Sequence, residues 1–333
     1  MGHIVRCVTL AGAFRDTGIE TVFLTWSPDG IGKTIIETAD FDLDESYGPA
    51  ATPDDLTFVL DRARQELRTP LLVLDSRNVD KGYVEACRNI AVVVCLDDDL
   101  MRDLPCDALI NNNVWATESD YGPDQERALF LGPCYNLVKP VFFRIHEIRS
   151  EPRRPHVLVT MGGEDPSDQT SRFLALLGES LVSCSVTIVV GPAHPDADAV
   201  SVAARRYTPH AGVIAAPTDL SSLMARADLA ITAGGTTCYE LAAAGVSQAA
   251  VILDDHQEKL VRALADVGCL IQLGRYDNLE IDLVRHNVES LIASADERER
   301  LASAGKQLLQ GPGAPRIVDE LTKLWAEHQR TNL

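Results

Sequence analysis

Short apolar runs separated by helix-length stretches recur along this whole chain, and that alternation leaves it few folds to choose from. In the first half the runs are Thr21–Thr25, Leu71–Leu74, Ala91–Leu96, Ala108–Ile110 and Ala128–Leu131. In the second half they are His156–Thr160, Val186–Val190, Val213–Ala215, Leu229–Thr232, Gln248–Leu253 and Leu270–Leu273. Between them lie helix-like stretches such as Asp54–Leu67, Thr170–Leu181, Leu220–Ala227, Thr237–Ala244 and Gln257–Val267. Continuous Val, Ile and Leu mark strands buried on both faces, and the amphipathic stretches supply the covering helices. The expected class is α/β, with two Rossmann-like, doubly wound parallel sheets. The polar stretch Arg149-Ser-Glu-Pro-Arg-Arg-Pro155 reads as a linker, which puts the domains at 1–150 and 151–333. Doubly wound sheets bind ligands beyond the carboxyl ends of their strands, so the ligand is expected in a cleft between the domains.

At 333 residues the chain is long enough for two cores. Its formal charge of −19, from 49 acidic and 30 basic residues, argues against nucleic acid or an anionic membrane surface as the main partner. An anionic substrate must then be held by local dipoles and backbone donors. The eight cysteines lie far apart, without a CxxC pair or a nearby His cluster. That pattern suits buried reduced thiols better than disulfides or zinc. No signal peptide and no bilayer-length apolar run can be read, so a cytoplasmic protein is expected. Composition identifies no protein partner.

The segment from Ala230 to Gly245 carries the most chemistry. An apolar strand ends in Gly234-Gly235, Thr236 and Thr237 open a helix, and Glu240 lies three residues after Thr237. Free N–H donors and the positive end of a helix dipole there suit a phosphate or diphosphate, while Glu240 can accept hydrogen bonds from ribose hydroxyls. The plain alternative is a capping box between Thr237 and Glu240. Met161-Gly-Gly-Glu-Asp165 forms a second glycine turn at a strand end. Asp254-Asp-His-Gln257 follows another strand, so that His256 and Gln257 either face a ligand or belong to a simple N-terminal cap.

In the first half, His3 and Arg6 open an apparent amphipathic helix. Histidine is the side chain best suited to moving protons near neutral pH. Asp75 ends the strand Leu71–Leu74, and Asp97-Asp-Asp99 ends the next. Carboxylates at such places orient a histidine or a substrate hydroxyl, or cap the following helix. Asn111-Asn-Asn113 offers amides to a sugar or makes a turn.

These segments, together with Cys106-Asp107, Leu131-Gly-Pro-Cys-Tyr-Asn-Leu137 and Gly311-Pro-Gly-Ala-Pro-Arg316, resemble the UDP-sugar hydrolases of pseudaminic acid biosynthesis. That family is related to glycosyltransferases of the GT-B fold and to spore-coat polysaccharide proteins. The resemblance spans nearly the whole chain and is most specific over Leu131–Leu137 and Gly234–Glu240. It implies a UDP-sugar substrate, with the catalytic base in the first domain and the nucleotide diphosphate in the second. Gly162, Gly163, Gly235, Thr236 and Thr237 would bind the diphosphate region and Glu240 the ribose, with His256 and Gln257 against the nucleotide sugar and Arg6 also on substrate. His3, with Asp75, would activate water for attack on the anomeric carbon. UDP would leave toward the helix start at Thr236–Thr237. The scheme needs no metal ion and no cofactor.

Two departures from the family are visible. Its members place a strand and a glycine-rich loop ahead of the Gly-His pair, whereas here Met1 precedes Gly2. A doubly wound domain lacking that strand exposes unpaired backbone on its neighbours. Where the family has Asp followed closely by Tyr, this chain has Asp75-Ser76-Arg77, which alters the recognised sugar and offers Arg77 to an acidic sugar or an acceptor. Hydrolysis of a UDP-linked amino or deoxy sugar is the first reading. Transfer of the sugar to an acceptor is the second, and binding without turnover the third.

Overall fold

The computed structural model describes residues 2–26, 30–46, 48–66, 69–98, 100, 104–122, 127–145, 154–165 and 167–331. The linker stretch 149–153 and Asp99 lie outside the described residues. Two compact units divide the chain, one of residues 1–138 with 312–333 and the other of 139–311. This corrects the boundaries expected at 1–150 and 151–333. The last helix, Ala314–Thr331, returns to the first unit, where Ile317, Val318 and Leu321 pack with Leu10, Ala13 and Phe14 of the first helix, Gly2–Asp16. Burying each such aliphatic side chain contributes roughly 1.5–3 kcal/mol, enough to decide where the helix docks. Trp325 Nε1 also donates to the Thr69 carbonyl at 2.8 Å.

In the first unit, β1 (Val22–Thr25) pairs in parallel with β2 (Asp42–Glu45). Separately, β3 (Leu71–Leu74), β4 (Val92–Leu96), β5 (Ala108–Asn111) and β6 (Ala128–Leu131) form a parallel four-stranded sheet in that order. Every residue of β4 and β5 is buried, as their continuous apolar sequences require. Sequence pattern misses β2, which reads Asp-Leu-Asp-Glu and has no buried residue.

The second unit holds one parallel sheet of six strands. These are β7 (His156–Thr160), β8 (Ser185–Val190), β9 (Gly212–Ala215), β10 (Leu229–Ala233), β11 (Ser247–Ile252) and β12 (Ile271–Arg275). They run in the order β12-β11-β10-β7-β8-β9, so the chain-first strand β7 is central. Phe173, Leu174 and Leu177 of the helix Gln169–Leu177 close its core against Val157, Val159, Leu229 and Ile231. The apolar runs read from sequence match eleven of the strands to within a residue or two.

Candidate functional site

The first unit builds a charged cluster at the carboxyl end of β3. His3, Arg6 and Cys7 stand at helical spacings of three and four, so they share one face of Gly2–Asp16. That face meets Asp75, the residue after β3. His3 Nδ1 lies 2.6 Å from Asp75 Oδ1, and Arg6 donates to both carboxylate oxygens, from Nε at 2.7 Å and Nη2 at 2.5 Å. Arg6 Nη1 donates in turn to Asp98, at 2.9 and 2.8 Å, and Asn113 Nδ2 donates to Asp98 at 3.3 Å. Asp75 can only accept, whereas Arg6 Nη2, 3.1 Å from the same Nδ1, can only donate; the shorter contact to Asp75 assigns the imidazole proton to Nδ1 and leaves the lone pair on Nε2.

Exposure and charge separate the roles within this cluster. The Asp75 side chain is 6% exposed and that of His3 41%. Burial alone would push the Asp75 carboxyl up, but hydrogen bonds from Arg6 and His3 and the Arg6 charge outweigh it and hold the group at about 2. Burial would lower Arg6, yet Asp75 and Asp98 raise it above its usual range. Burial and the Asp75 charge push the Cys7 thiol up, so it stays protonated and donates to Asp75 at 3.3 Å. The result is an exposed imidazole backed by a fixed buried anion, the arrangement of a general base and its orienting carboxylate.

Sequence had raised Asp97-Asp-Asp99 and the asparagine run only in outline. Asp97 accepts from the buried Tyr121 hydroxyl at 2.7 Å, and Asn111 Nδ2 donates to the same hydroxyl at 2.8 Å. Asn111 is therefore scaffold, while Asp98 and Asn113 extend the His3 cluster. Asp107 is likewise structural, accepting from Arg88 and from the Val93 backbone.

In the second unit, β10 runs through Gly234-Gly235 into the helix Thr237–Ala244. Gly234 has no room for a side chain, since a Cβ would come within 2.2 Å of Val261 Cγ2. Around Gly235 the space is open. The capping box does not form. Thr236 has helical backbone angles and no side-chain cap, and among the described residues the N–H groups and hydroxyls of Thr236 and Thr237 have no hydrogen-bond partner. These are the free donors that the sequence led one to expect.

Glu240 lies one turn further in, half-buried near Lys139 and Asp219. Burial pushes its carboxyl up to about 7; Lys139 opposes the rise and Asp219 adds to it. The neighbourhood of Lys139 and Asp219 carries no local sequence signal, because both come from distant parts of the chain.

Gln257 takes a scaffold position. Its Oε1 accepts from Gly234 N at 3.1 Å and from Leu253 N at 3.0 Å, and its Nε2 donates to Asp254 at 3.2 Å. It holds the Gly234 turn against the helix Asp255–Asp266, with Asp254 as the N-cap. His256 is exposed on the first turn of that helix. Gly162, with φ of +86°, and Gly163 form the turn after β7. A Cβ on Gly191 would lie 2.3 Å from both their carbonyl oxygens, so it is the missing side chain of Gly191 that lets the two backbones pack, while the space around Gly162 is open.

Among the described residues, Asp165, Asp168 and His194 bring potential metal-ligand atoms within 4.8 Å of one another. Asp165 already accepts from Gln169 N, Thr170 N and the Thr170 hydroxyl, and Asp168 from Ser171 N. The trio is first a helix-capping cluster, with the buried His194 Nε2 at 3.7 and 3.6 Å from the two carboxylates.

Residues 157–314 match the model of the glycosyltransferase family 28 C-terminal domain. The chain is 26% identical to the spore coat polysaccharide biosynthesis protein SpsG of Bacillus subtilis, over 98% of this chain and 95% of that one. Its fold is similar to MurG from Acinetobacter baumannii, with a TM-score of 0.67 and 17% identity over 97% of this chain and 96% of that one. It is also similar to Anabaena HepE in complex with UDP and glucose, with a TM-score of 0.65 and 11% identity over 97% and 95%. The fold is therefore that of GT-B glycosyltransferases, built from two Rossmann-like units, and the protein is glycosyltransferase-like. Transfer fits these likenesses better than the hydrolysis put first on sequence, because the matching domain is a glycosyltransferase domain. No helix among the described residues is long and apolar enough to cross a membrane.

Proposed function

We propose that the protein transfers a glycosyl group from a UDP-sugar to an acceptor hydroxyl or amine. The observation that carries this reading is the set of open donors at Thr236 and Thr237, above Gly235 and one turn before Glu240, inside the segment that matches a glycosyltransferase domain. The second unit is assigned the donor nucleotide. The Thr236 and Thr237 N–H groups and hydroxyls donate to the diphosphate oxygens at the helix start, Glu240 accepts from the ribose hydroxyls, and Gln257 positions the glycine turn. The Gly162-Gly163 turn and His256 are assigned to the same ligand.

The first unit is assigned the base. His3 Nε2 takes the proton of the attacking hydroxyl or amine as its lone pair forms the bond to the anomeric carbon. The bond from that carbon to the phosphate oxygen breaks, and UDP departs with the electron pair. Asp75 stays ionised and holds Nδ1–H throughout, while Arg6 and Asp98 keep Asp75 in place. Arg77 is offered to an acidic sugar or acceptor. All eight cysteines are free thiols, which supports a reduced, cytoplasmic setting.

Titration with UDP, using other nucleoside diphosphates as controls, tests the donor assignment. Binding that weakens about tenfold or more in Glu240→Ala (~1.4 kcal/mol) supports it, and the absence of binding by any nucleotide overturns it. Turnover of UDP-sugars with and without acceptors then separates transfer from hydrolysis. UDP release that is indifferent to every acceptor would restore the hydrolase reading.

A further inference from the structure

Two neighbours of opposite demand meet at one nitrogen of His3. Asp75 Oδ1, 2.6 Å from Nδ1, can only accept a hydrogen bond, and Arg6 Nη2, 3.1 Å from the same atom, can only donate one. Each favours a different neutral imidazole. With the proton on Nδ1 the ring donates to Asp75, and Nε2 keeps the lone pair that a base needs. With the proton on Nε2 the ring accepts from Arg6 instead, and Nε2 has no lone pair to offer. Both arrangements use the same heavy-atom positions, so the charges around Arg6 decide between them.

Arg6 and Asp75 alone leave that contest close. Asp75 takes hydrogen bonds from Arg6 Nε and Nη2, from His3 and from the Cys7 thiol, which occupies its lone pairs, and the Arg6 charge cancels its own. Asp98 alters the sum. It accepts from Arg6 Nη1, the nitrogen that Asp75 does not use, at 2.9 and 2.8 Å. Arg6 then lies between two carboxylates, and the three groups together carry one negative charge. Beside such a group the imidazole dipole is best oriented with its N–H end toward Asp75, and an imidazolium formed during proton transfer is stabilised as well. Asp98 is itself held in place. Asn113 Nδ2 donates to it at 3.3 Å and to Asn111 Oδ1 at 2.9 Å, and Asn111 Nδ2 donates to the buried Tyr121 hydroxyl at 2.8 Å. Asp97, one residue earlier, accepts from that hydroxyl, so adjacent carboxylates at one strand end serve different purposes.

We infer that Asp98 is a positioning residue for His3. By holding Arg6 through Nη1 and balancing its charge, it keeps the imidazole proton on Nδ1 and the lone pair on Nε2, while Asn113 keeps Asp98 in place. Its value for turnover rests on the reading of His3 as the base. The place of the proton does not, because it is a property of the free protein.

Long-range proton–nitrogen correlation spectra of the full chain, isotope-labelled on histidine, test the inference, because protonated and bare ring nitrogens resonate far apart. The His3 signals are assigned by their loss in His3→Gln, and the spectra are taken at a pH where the ring is neutral. The wild-type ring should carry its proton predominantly on Nδ1. Asp98→Asn, which keeps the shape and removes the charge, should move the ratio of the two tautomers toward Nε2–H by about tenfold. Asp98→Glu, which keeps the charge, should stay within about threefold of wild type. Asn113→Ala should shift the ratio in the same direction as Asp98→Asn but less, which keeps the test open if Asp98→Asn does not fold. In turnover of a UDP-sugar, Asp98→Asn should lower kcat about tenfold or more and leave KM for the donor within about twofold. Nε2–H predominating in wild type, an unchanged ratio in folded Asp98→Asn, or an equal shift in Asp98→Glu would each overturn the inference. The expected ratios in a protein that turns over no UDP-sugar would uphold the positioning of His3 and refute the glycosyl-transfer reading instead.

Discussion

In the second unit every residue of β10 and β11 is buried, while in the first unit three of the four residues of β3 keep contact with solvent. The side chains are of the same aliphatic kind, Leu-Ala-Ile-Thr-Ala in β10 and Leu-Leu-Val-Leu in β3. The difference lies in their neighbours, since among the described residues β10 is paired on both edges and β3 on one. Burial of a strand is thus set by the sheet around it as much as by its own residues. The two candidate sites contrast in charge as well. Asp75 in the first unit is held low by Arg6 and His3 despite its burial, whereas burial leaves Glu240 in the second unit high.

The largest expected effect concerns the charged cluster. If His3 is the base, His3→Ala should lower turnover about 10²–10⁴-fold while leaving UDP affinity nearly unchanged, because the nucleotide is assigned to the other unit. Glu240→Ala should do the reverse and weaken UDP binding first. Steady-state kinetics beside equilibrium titration would break this division of labour if either variant altered both quantities equally.

Core truncations sharpen the packing contrast. Ile231→Ala, in the fully buried β10, should cost about 2–5 kcal/mol, whereas Leu72→Ala, in the partly exposed β3, should cost about 1 kcal/mol or less. Urea denaturation measures both. All three tryptophans, Trp26, Trp115 and Trp325, belong to the first unit, so their fluorescence follows that unit and exchange of the β10 amides follows the other. Equal costs would mean that β3 is as closely packed as β10.

Gln257→Leu tests a scaffold role in the second unit. It removes the acceptor of the Leu253 N–H and the second acceptor of the Gly234 N–H, which also donates to the Val251 carbonyl at 2.9 Å, and should destabilise that unit by about 1–3 kcal/mol. A loss of nucleotide affinity without loss of stability would instead make it a direct ligand contact.

The smallest effects are in the pH dependence, and their signs are opposite. Glu240 has its folded-state value raised from 4.5 to about 7, so the folded second unit binds the extra proton between those values. Its contribution to stability falls as pH rises from 4.5 to about 7 and is level above that range. Asp75 is lowered from 3.8 to about 2, so its contribution is complete above 3.8 and is lost as pH falls toward 2. Denaturation across pH should show the first slope abolished by Glu240→Gln and the second by Asp75→Asn. UDP affinity should rise with pH toward 7, because the ionised Glu240 is the better acceptor for ribose hydroxyls.

Strand positions were legible because continuous runs such as Val92-Val-Val-Cys-Leu96 have no stable place except between two helical layers. The strand β2 was not, since Asp42-Leu-Asp-Glu45 bears no apolar period and is held by pairing with β1 and by ion pairs of Asp44 with Arg62 and Glu45 with Lys33. The glycine turn and helix start at Gly234–Glu240 were legible as well, because local backbone requirements produce them. Whether Thr237 and Glu240 closed a capping box was not, as both readings use the same residues at the same spacing. For Gln257, sequence placed it at a helix start but could not show that its carbonyl is already taken by two backbone donors.

By itself the amino-acid sequence determined the α/β class, nearly every strand, the glycine turn before Thr236 and the pairing of a histidine and an arginine on one helical turn. All of these follow from spacing over a few residues, where backbone sterics and side-chain periodicity act. Only the tertiary structure decided that Asp75 and Asp98 clamp Arg6, that the charges of Lys139 and Asp219 act on Glu240, that the last helix returns to the first unit, and that β1 pairs with β2. Those contacts join residues dozens to hundreds of positions apart. They are selected by burial and charge pairing in the folded chain, and no local pattern carries them.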